Sequence, residues 1–279
     1  MSKRYKNEEK FDTHIDVLRT RIKDSDDLQV VESVFDTRTL MNLYNLASKG
    51  IIDTLGGSVS TGKEANIFYA TCGQKDLAIK IYRISTSNFK AMQDYLHGDP
   101  RFGNIKGTRR AIVSAWAKKE FRNLKRAEEV GVRVPHPIAM RENILIMDLI
   151  GRPGSPAPPL KDIELAPEEA KRAFDKIADY ISLLYNKADL VHSDLSEFNV
   201  LYDNEPVIID MGQSVTLDHP MARKFLERDI TNIARYFQKR YGIGSEEEIW
   251  AKIKSDAEKH NIENIEKNNE KHNQEHRDQ

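Results

Sequence analysis

The sequence predicts an α+β fold of two lobes, the first rich in sheet and the second mostly helical. Three observations predict it. Short apolar runs broken by glycine-containing turns fill residues 51–83, a stretch with four prolines and two glycines (Gly151 to Pro159) forms a linker, and amphipathic helical patterns dominate beyond it. The chain has 279 residues, enough for two lobes with a sizeable core. No run approaches the ~20 apolar residues of a membrane helix. The opening MSKRYKNEEK has no apolar stretch behind its charges, so neither a membrane span nor a secretory signal is expected. A single cysteine, Cys72, leaves no disulfide framework within the chain and fits a reducing cytoplasm. The net charge of -1 points to no partner; its distribution does, as shown below.

Residues 1–50 read as an N-terminal helical extension, with Leu40, Leu43, Tyr44 and Leu46 on one face and Gly50 as the stop. The first lobe covers 51–150. Its strands are Ile51-Ile52, Ala65 to Ala70, Leu77 to Tyr82, Ile138 to Met140 and Ile144 to Leu149. Within it, residues 84–108 show no period and carry Gly98, Pro100, Gly103 and Gly107, which predicts a long flexible loop. Arg109 to Val130 is helical, closed by Gly131. The second lobe covers 151–260: the linker, a helix over 167–188, strands Val200 to Tyr202 and Val207 to Ile209, and helices from about Pro220 to His260. Residues 261–279 form a polar, charged tail. A cleft between two such lobes is the expected ligand site.

The chemistry concentrates between His192 and Gln213. His192-Ser193-Asp194-Leu195-Ser196-Glu197-Phe198-Asn199 has the spacing of a kinase catalytic loop, an Asp followed by four residues and an Asn. One carboxylate must face an attacking hydroxyl and one amide oxygen must reach a metal on the phosphates; a short loop aims both at one place. Asp210-Met211-Gly212 follows the apolar run Val207-Ile208-Ile209 and resembles the metal-binding Asp-Phe-Gly element. Asn199 and Asp210 would serve Mg²⁺, with Mn²⁺ as a substitute, because a hard cation takes few protein oxygens plus phosphate and water. Singly, each of these residues could be a turn former. The joint pattern favours ATP chemistry, with Asp194 as base. His192 can brace the loop through a hydrogen bond.

Gly57 to Glu64 nearly matches a phosphate-binding Walker loop. Glu64 replaces the required Ser/Thr, however, and the segment leads into a strand rather than a helix. The better reading is a hairpin over the nucleotide, with Ser60, Thr61, Gly62 and Lys63 near the phosphates; an ordinary hairpin turn is the alternative. Leu77-Ala-Ile-Lys80 matches the strand pattern that carries the ATP lysine. An ammonium within an apolar strand needs an anion, and Glu120, on the inward stripe with Val113, Trp116, Leu124 and Ala127, is the candidate. Its alternative is a solvated helix edge. Backbone groups of Asp148, Leu149 and Ile150, at the end of a buried strand, are placed to meet the adenine edge.

Ser60-Thr-Gly-Lys-Glu-Ala-Asn66, His192 to Asn199 and Ile209-Asp-Met-Gly-Gln213 together resemble the RIO atypical serine/threonine protein kinases, type-one branch, over roughly residues 40–250. The resemblance implies a protein-kinase-like fold that lacks an activation loop and peptide platform. No Ala-Pro-Glu element follows Gly212 here. It implies Asp194 as catalytic base, Asn199 and Asp210 on the metal, and Lys80 on ATP. Glu197, inside the same motif, joins the nucleotide-binding set. In some members the aspartate matching Asp210 takes the phosphate. It also implies work on the maturing small ribosomal subunit, with ATP hydrolysis as credible an outcome as phosphorylation of a peptide.

Between Arg83 and Arg126 there are eleven Lys/Arg against three Asp/Glu, interleaved with aromatics. That composition suits rRNA or the pre-ribosomal small subunit. A solvated helix face is the alternative, preferred for Trp116. Two competing functions carry less: a small-molecule phosphotransferase of the aminoglycoside or choline kinase type, which usually has a large acidic helical insertion, and a non-catalytic assembly factor, which would not keep every catalytic residue.

Overall fold

The computed structural model describes residues 35–85, 89–102 and 105–259. They fall into two compact units, one through residue 92 with Ile105–Lys118 and Pro137–Leu149, the other made of residues 93–104, Lys119–His136 and the chain from Ile150 onward.

The first unit is a five-stranded antiparallel sheet. Its strands are β1 (Thr54–Thr61), β2 (Ala65–Cys72), β3 (Lys75–Tyr82), β4 (Pro137–Arg141) and β5 (Ile144–Asp148), in the order β1-β2-β3-β5-β4. Alternation of apolar residues on β2 and β3 gives one continuous core face. Phe68, Ala70, Leu77, Ile79, Ile81, Ile144 and Ile146 pack with Leu43 and Leu46 of helix α1 (Thr37–Ser48). The Asp36 side chain caps α1 by accepting the Thr39 N–H at 2.7 Å, and Gly50 follows the helix at φ +69°. Ile51 and Ile52 are not a strand. Ile52 is a core residue delivered by the connection into β1, and burial without pairing produced the same apolar signal.

The expected loop 84–108 also contains order. Residues 89–97 form helix α2 (Phe89–His97), and Pro100–Phe102 is a 3₁₀ turn. Met92 and Leu96, four apart, are both buried, a helical repeat too short to stand out among the glycines. Helix α3 (Arg109–Glu129) follows and ends before Gly131 at φ +87°.

The second unit is built on helices α4 (Pro167–Asn186) and α5 (Ala222–Tyr241), with residues 246–259 also helical. The linker forms a small hairpin, β6 (Gly151–Arg152) with β7 (Ser155–Pro156). Two more two-stranded ladders carry the site: β8 (Leu190–Val191) with β11 (Val215–Thr216), and β9 (Val200–Asp203) with β10 (Glu205–Ile208). Residues 1–34 of the expected extension and the tail 261–279 lie outside the described residues. Among those described, no helix is long and apolar enough to cross a membrane.

Candidate active site

Two loops of the second unit carry the residues singled out above. The first leaves fully buried β8 and re-enters the core at Val200; between them His192, Ser193 and Leu195 are buried, while Asp194 and residues 196–199 are partly or fully exposed. His192 is buried and its Nε2 donates to the Ile209 carbonyl at 3.0 Å, tying this loop to the second one. The Ile209 N–H in turn donates to the Asn199 carbonyl at 3.0 Å. Ser193 (φ +69°) and Asp210 (φ +63°) both occupy the left-handed region, at a cost of about 1–3 kcal/mol each, which persists only where partners hold them.

For the first loop that partner is Asp229 of α5. Its Oδ2 accepts the Ser193 N–H at 2.8 Å and its Oδ1 accepts the Leu195 N–H at 2.9 Å. Arg228 donates to the Ser193 carbonyl, and Asn232 Nδ2 donates to that of Leu195 at 3.2 Å. Asp194 is thereby bracketed on both sides. Burial pushes the Asp229 carboxyl up to about 7, against the two amides and Arg228. Sequence reasoning missed Asp229. The available signal was the one used for Glu120, a carboxylate within a buried stripe, here beside Leu226, Ile230 and Ile233.

The Asp194 carboxylate accepts from Gln213 Nε2 at 3.0 Å. Asn199 Nδ2 donates to the Asp194 backbone carbonyl at 2.8 Å and lies 3.4 Å from Oδ2. Burial, then the charge of Asp210, raises the Asp194 carboxyl above the usual carboxylate range, while Arg228 and Asn199 oppose the rise. A carboxylate with raised proton affinity is what a general base requires.

Asn199 and Asp210 fit a hard cation. The amide nitrogen of Asn199 is engaged, which leaves its Oδ1 to face a metal, and Asp210 is exposed at its loop. Among the described residues no three His, Cys, Asp or Glu side chains gather to hold a metal. A cation held by these two oxygens would complete its shell with phosphate and water oxygens, the habit of Mg²⁺. Glu197 is half-buried two residues before Asn199, and its carbonyl accepts the Lys161 N–H at 3.2 Å.

The first unit holds the remaining candidates. Ser60 and Thr61 end β1, paired with Ile67 and Asn66, and Ser60 to Lys63 are exposed. The Gly62 N–H donates to the Ala65 carbonyl at 2.9 Å, so this amide closes the turn itself. Lys80 is buried on β3 between Ile79 and Ile81, with Nζ 5.3 Å from the Tyr82 ring centroid. At the end of β5, the Leu149 N–H donates to Asp76 O at 3.1 Å; farther along, Ile150 O accepts from the Ala157 N–H at 2.8 Å. In an antiparallel ladder the backbone groups of Asp148 then face away from β3. Glu120 lies on α3 and is 1% exposed, a buried carboxylate rather than a solvated edge.

Comparison with known proteins identifies the family. A family model described as the RIO domain matches residues 66–249. The chain is 46% identical over 230 residues to the RIO-type serine/threonine-protein kinase Rio1 of Haloferax volcanii, covering 82% of this chain and 78% of that one. It is 43% identical over 223 residues to human serine/threonine-protein kinase RIO1, covering 78% of this chain but 39% of the human protein. Among solved structures, the Rio2 kinase–ADP/Mg²⁺–phosphoaspartate complex from Chaetomium thermophilum is similar with a TM-score of 0.58 and 25% identity, over 74% of this chain and 61% of that one.

Proposed function

The chain belongs to the RIO family of atypical serine/threonine kinases and is a phosphotransferase of kinase-like α+β fold; from that premise we propose how its residues divide the work. Asp194 is the catalytic base. Asn199 and Asp210 hold Mg²⁺, which Mn²⁺ can replace, and the bound cation neutralises phosphate charge. Ser60, Thr61, Gly62 and Lys63 line the phosphates, and Lys80, paired with Glu120, orients them. The adenine edge meets the Asp148 carbonyl and the Ile150 N–H, since Leu149 N–H and Ile150 C=O already have protein partners. Glu197 completes the nucleotide set. The observation that carries this reading is the constraint on Asp194: two amides beside it fixed by Asp229 and its carboxylate held by Gln213.

The phosphoryl group has two destinations. The Rio2 complex named above contains phosphoaspartate. By analogy, an Asp210 oxygen attacks the γ-phosphorus, the bond to the bridging oxygen breaks, and ADP leaves with the electron pair. A water or hydroxyl then attacks the acyl phosphate, its proton passes to Asp194, and the Asp210 carboxylate is restored. Water gives net ATP hydrolysis; a serine or threonine hydroxyl, including one of this chain, gives a phosphoprotein. After Gln213 the chain goes through β11 almost directly into α5, with no length of chain for an activation segment, which favours hydrolysis or autophosphorylation over transfer to a docked peptide.

We also propose action in the cytoplasm on the maturing small ribosomal subunit. The support is the basic run 83–126, in which Lys118, Arg122 and Lys125 are exposed on α3. The small-molecule alternative loses ground, because the relatives are named protein kinases. Single-turnover reaction with γ-labelled ATP, with and without small-subunit precursors, is the test. Label should appear on Asp210 as an acid-stable, base- and hydroxylamine-labile phosphate, and Asp210→Asn should remove it. Full phosphoryl transfer by Asp194→Ala would exclude Asp194 as the base.

A further inference from the structure

Three residues of the loop after Asp210, namely Met211, Gly212 and Ser214, are gripped through their backbone carbonyls by side chains of one helix. Lys119 Nζ donates to the carbonyls of Gly212 (2.9 Å) and Ser214 (2.6 Å). Asn123 Nδ2, one turn further along α3, donates to those of Met211 (2.9 Å) and Ser214 (3.0 Å). Both side chains are fully buried. Side-chain donors on buried carbonyls are a specific arrangement, because the backbone turn itself supplies a donor only to Met211, from the Ser214 N–H at 3.3 Å.

The grip is itself anchored. Asn123 Oδ1 accepts from Arg101 Nη1 at 3.0 Å, which fixes the amide's orientation so that its nitrogen faces the loop. Arg101 is held by the buried Asp99 through Nε–Oδ1 (2.9 Å) and Nη2–Oδ2 (2.6 Å), a bidentate pair. Asp99 and Arg101 belong to the stretch just after α2, which the sequence presents as a loop. With Met211, Gly212 and Ser214 clamped, Gln213 is the loop residue whose side chain reaches the Asp194 carboxylate.

We propose that Asp99, Arg101, Lys119 and Asn123 form a positioning relay that sets Gln213, and through it the Asp194 carboxylate, taking over the ordering role that an activation segment plays in other kinases. It rests on the reading of Asp194 as base. In this proposal the relay residues act on the reaction through Gln213 and not by contact with the nucleotide. Removing a relay donor therefore lowers the chemical step and leaves nucleotide affinity in place.

The test uses the full chain and three variants, Asn123→Leu, Arg101→Lys and Gln213→Leu. Arg101→Lys keeps the charge at a partly exposed site and so guards against a variant that merely fails to fold. The first readout is hydrogen exchange across residues 208–216 in metal-free protein, where the two relay variants should exchange about tenfold faster while α4 is unchanged. The second is kinetic: kcat should fall about tenfold in all three variants with KM for ATP within about twofold. Unchanged exchange in both relay variants, or a loss confined to KM, would overturn the relay. If instead Asp194→Ala retains full activity while exchange still rises in the relay variants, the clamp stands and the assignment of the base has failed.

Discussion

Asp229 accepts the Ser193 N–H at 2.8 Å and holds that residue at φ +69°. Its other oxygen takes the Leu195 N–H, so one buried carboxylate sets the backbone on both sides of Asp194. Asp229→Asn keeps the shape but offers one acceptor where two amides need one each, and it turns an NH₂ donor toward a donor. A buried amide left without a partner costs about 1–3 kcal/mol. The variant should lose that much in denaturant unfolding. A base displaced by a fraction of an ångström should also reduce kcat, by up to ~100-fold. Retention of wild-type kcat would show that Asp229 does not set Asp194.

The same carboxyl makes stability depend on pH. Burial raises Asp229 from its ordinary 3.8 to about 7. Between those values the unfolded chain has released a proton that the folded chain retains, so the contribution of this group to stability is full below its unfolded value and declines as pH rises toward 7. Asp229→Asn removes the titration. The difference in unfolding free energy between wild type and variant should therefore shrink from acid pH to neutrality, measured by chemical denaturation across that range; a constant difference would place the folded-state value near 3.8.

Part of this site was legible in the sequence because its spacing is local. Asp194 and Asn199 share one loop, and Asp210 ends the next strand pair, so the seventeen residues 194–210 carry the pattern. Asp229, Lys119 and Asn123 act across long stretches of chain, and nothing in a periodicity tells which distant carbonyl a buried lysine will meet. Glu120 could be read as inward because Val113, Trp116 and Leu124 outline its stripe; Lys119 sits next to it and is equally buried, yet a charged neighbour looks like the solvent side. Helix α2 escaped for another reason. Two buried residues, Met92 and Leu96, make a single turn of pattern, and Gly98 and Pro100 mask it.

Gly98 is required for packing. A Cβ there would overlap the imidazole of His219, which is itself 7% exposed. His219 also accepts the Met221 N–H through Nδ1 at 3.1 Å, so the ring cannot simply swing away. Gly98→Ala should lower stability by about 1–3 kcal/mol, the range for overpacking. Adding His219→Ala should recover part of it, because it removes the obstructing ring. A Gly98→Ala protein as stable as wild type would mean that this contact yields.

Lys80 lies on β3 between two fully buried isoleucines. Taking an ammonium into such a strand opposes folding unless an anion compensates, the role proposed above for Glu120. Lys80→Met should lower kcat/KM for ATP by ~100-fold or more, since a preorganised cation on the phosphates is lost, and should lower the melting temperature as well, because the carboxylate proposed to pair with it is left buried without a cation. Lys80→Arg should not rescue, because a planar guanidinium does not replace a compact ammonium in a tight strand environment. Unchanged kcat/KM for ATP in Lys80→Met would identify Lys80 as a structural cation.

Asn199 separates the two tasks of its loop, since its nitrogen serves the protein and its oxygen serves the cation. The nitrogen donates to the Asp194 carbonyl at 2.8 Å, and the oxygen is the atom proposed above for the cation. Asn199→Ala removes both, and the Mg²⁺ concentration for half-maximal activity should rise about 10–100-fold, the usual consequence of disturbing a metal's support. Asn199→Asp keeps an oxygen ligand and adds charge, but it loses the donor and sets a carboxylate against the Asp194 carbonyl. It should therefore keep or tighten Mg²⁺ dependence while kcat falls. Chelation should abolish transfer in every active variant, and excess Mg²⁺ should restore it. Equal Mg²⁺ dependence in wild type and Asn199→Ala would remove Asn199 from the cation's shell and leave Asp210 as the ligand this loop pair supplies.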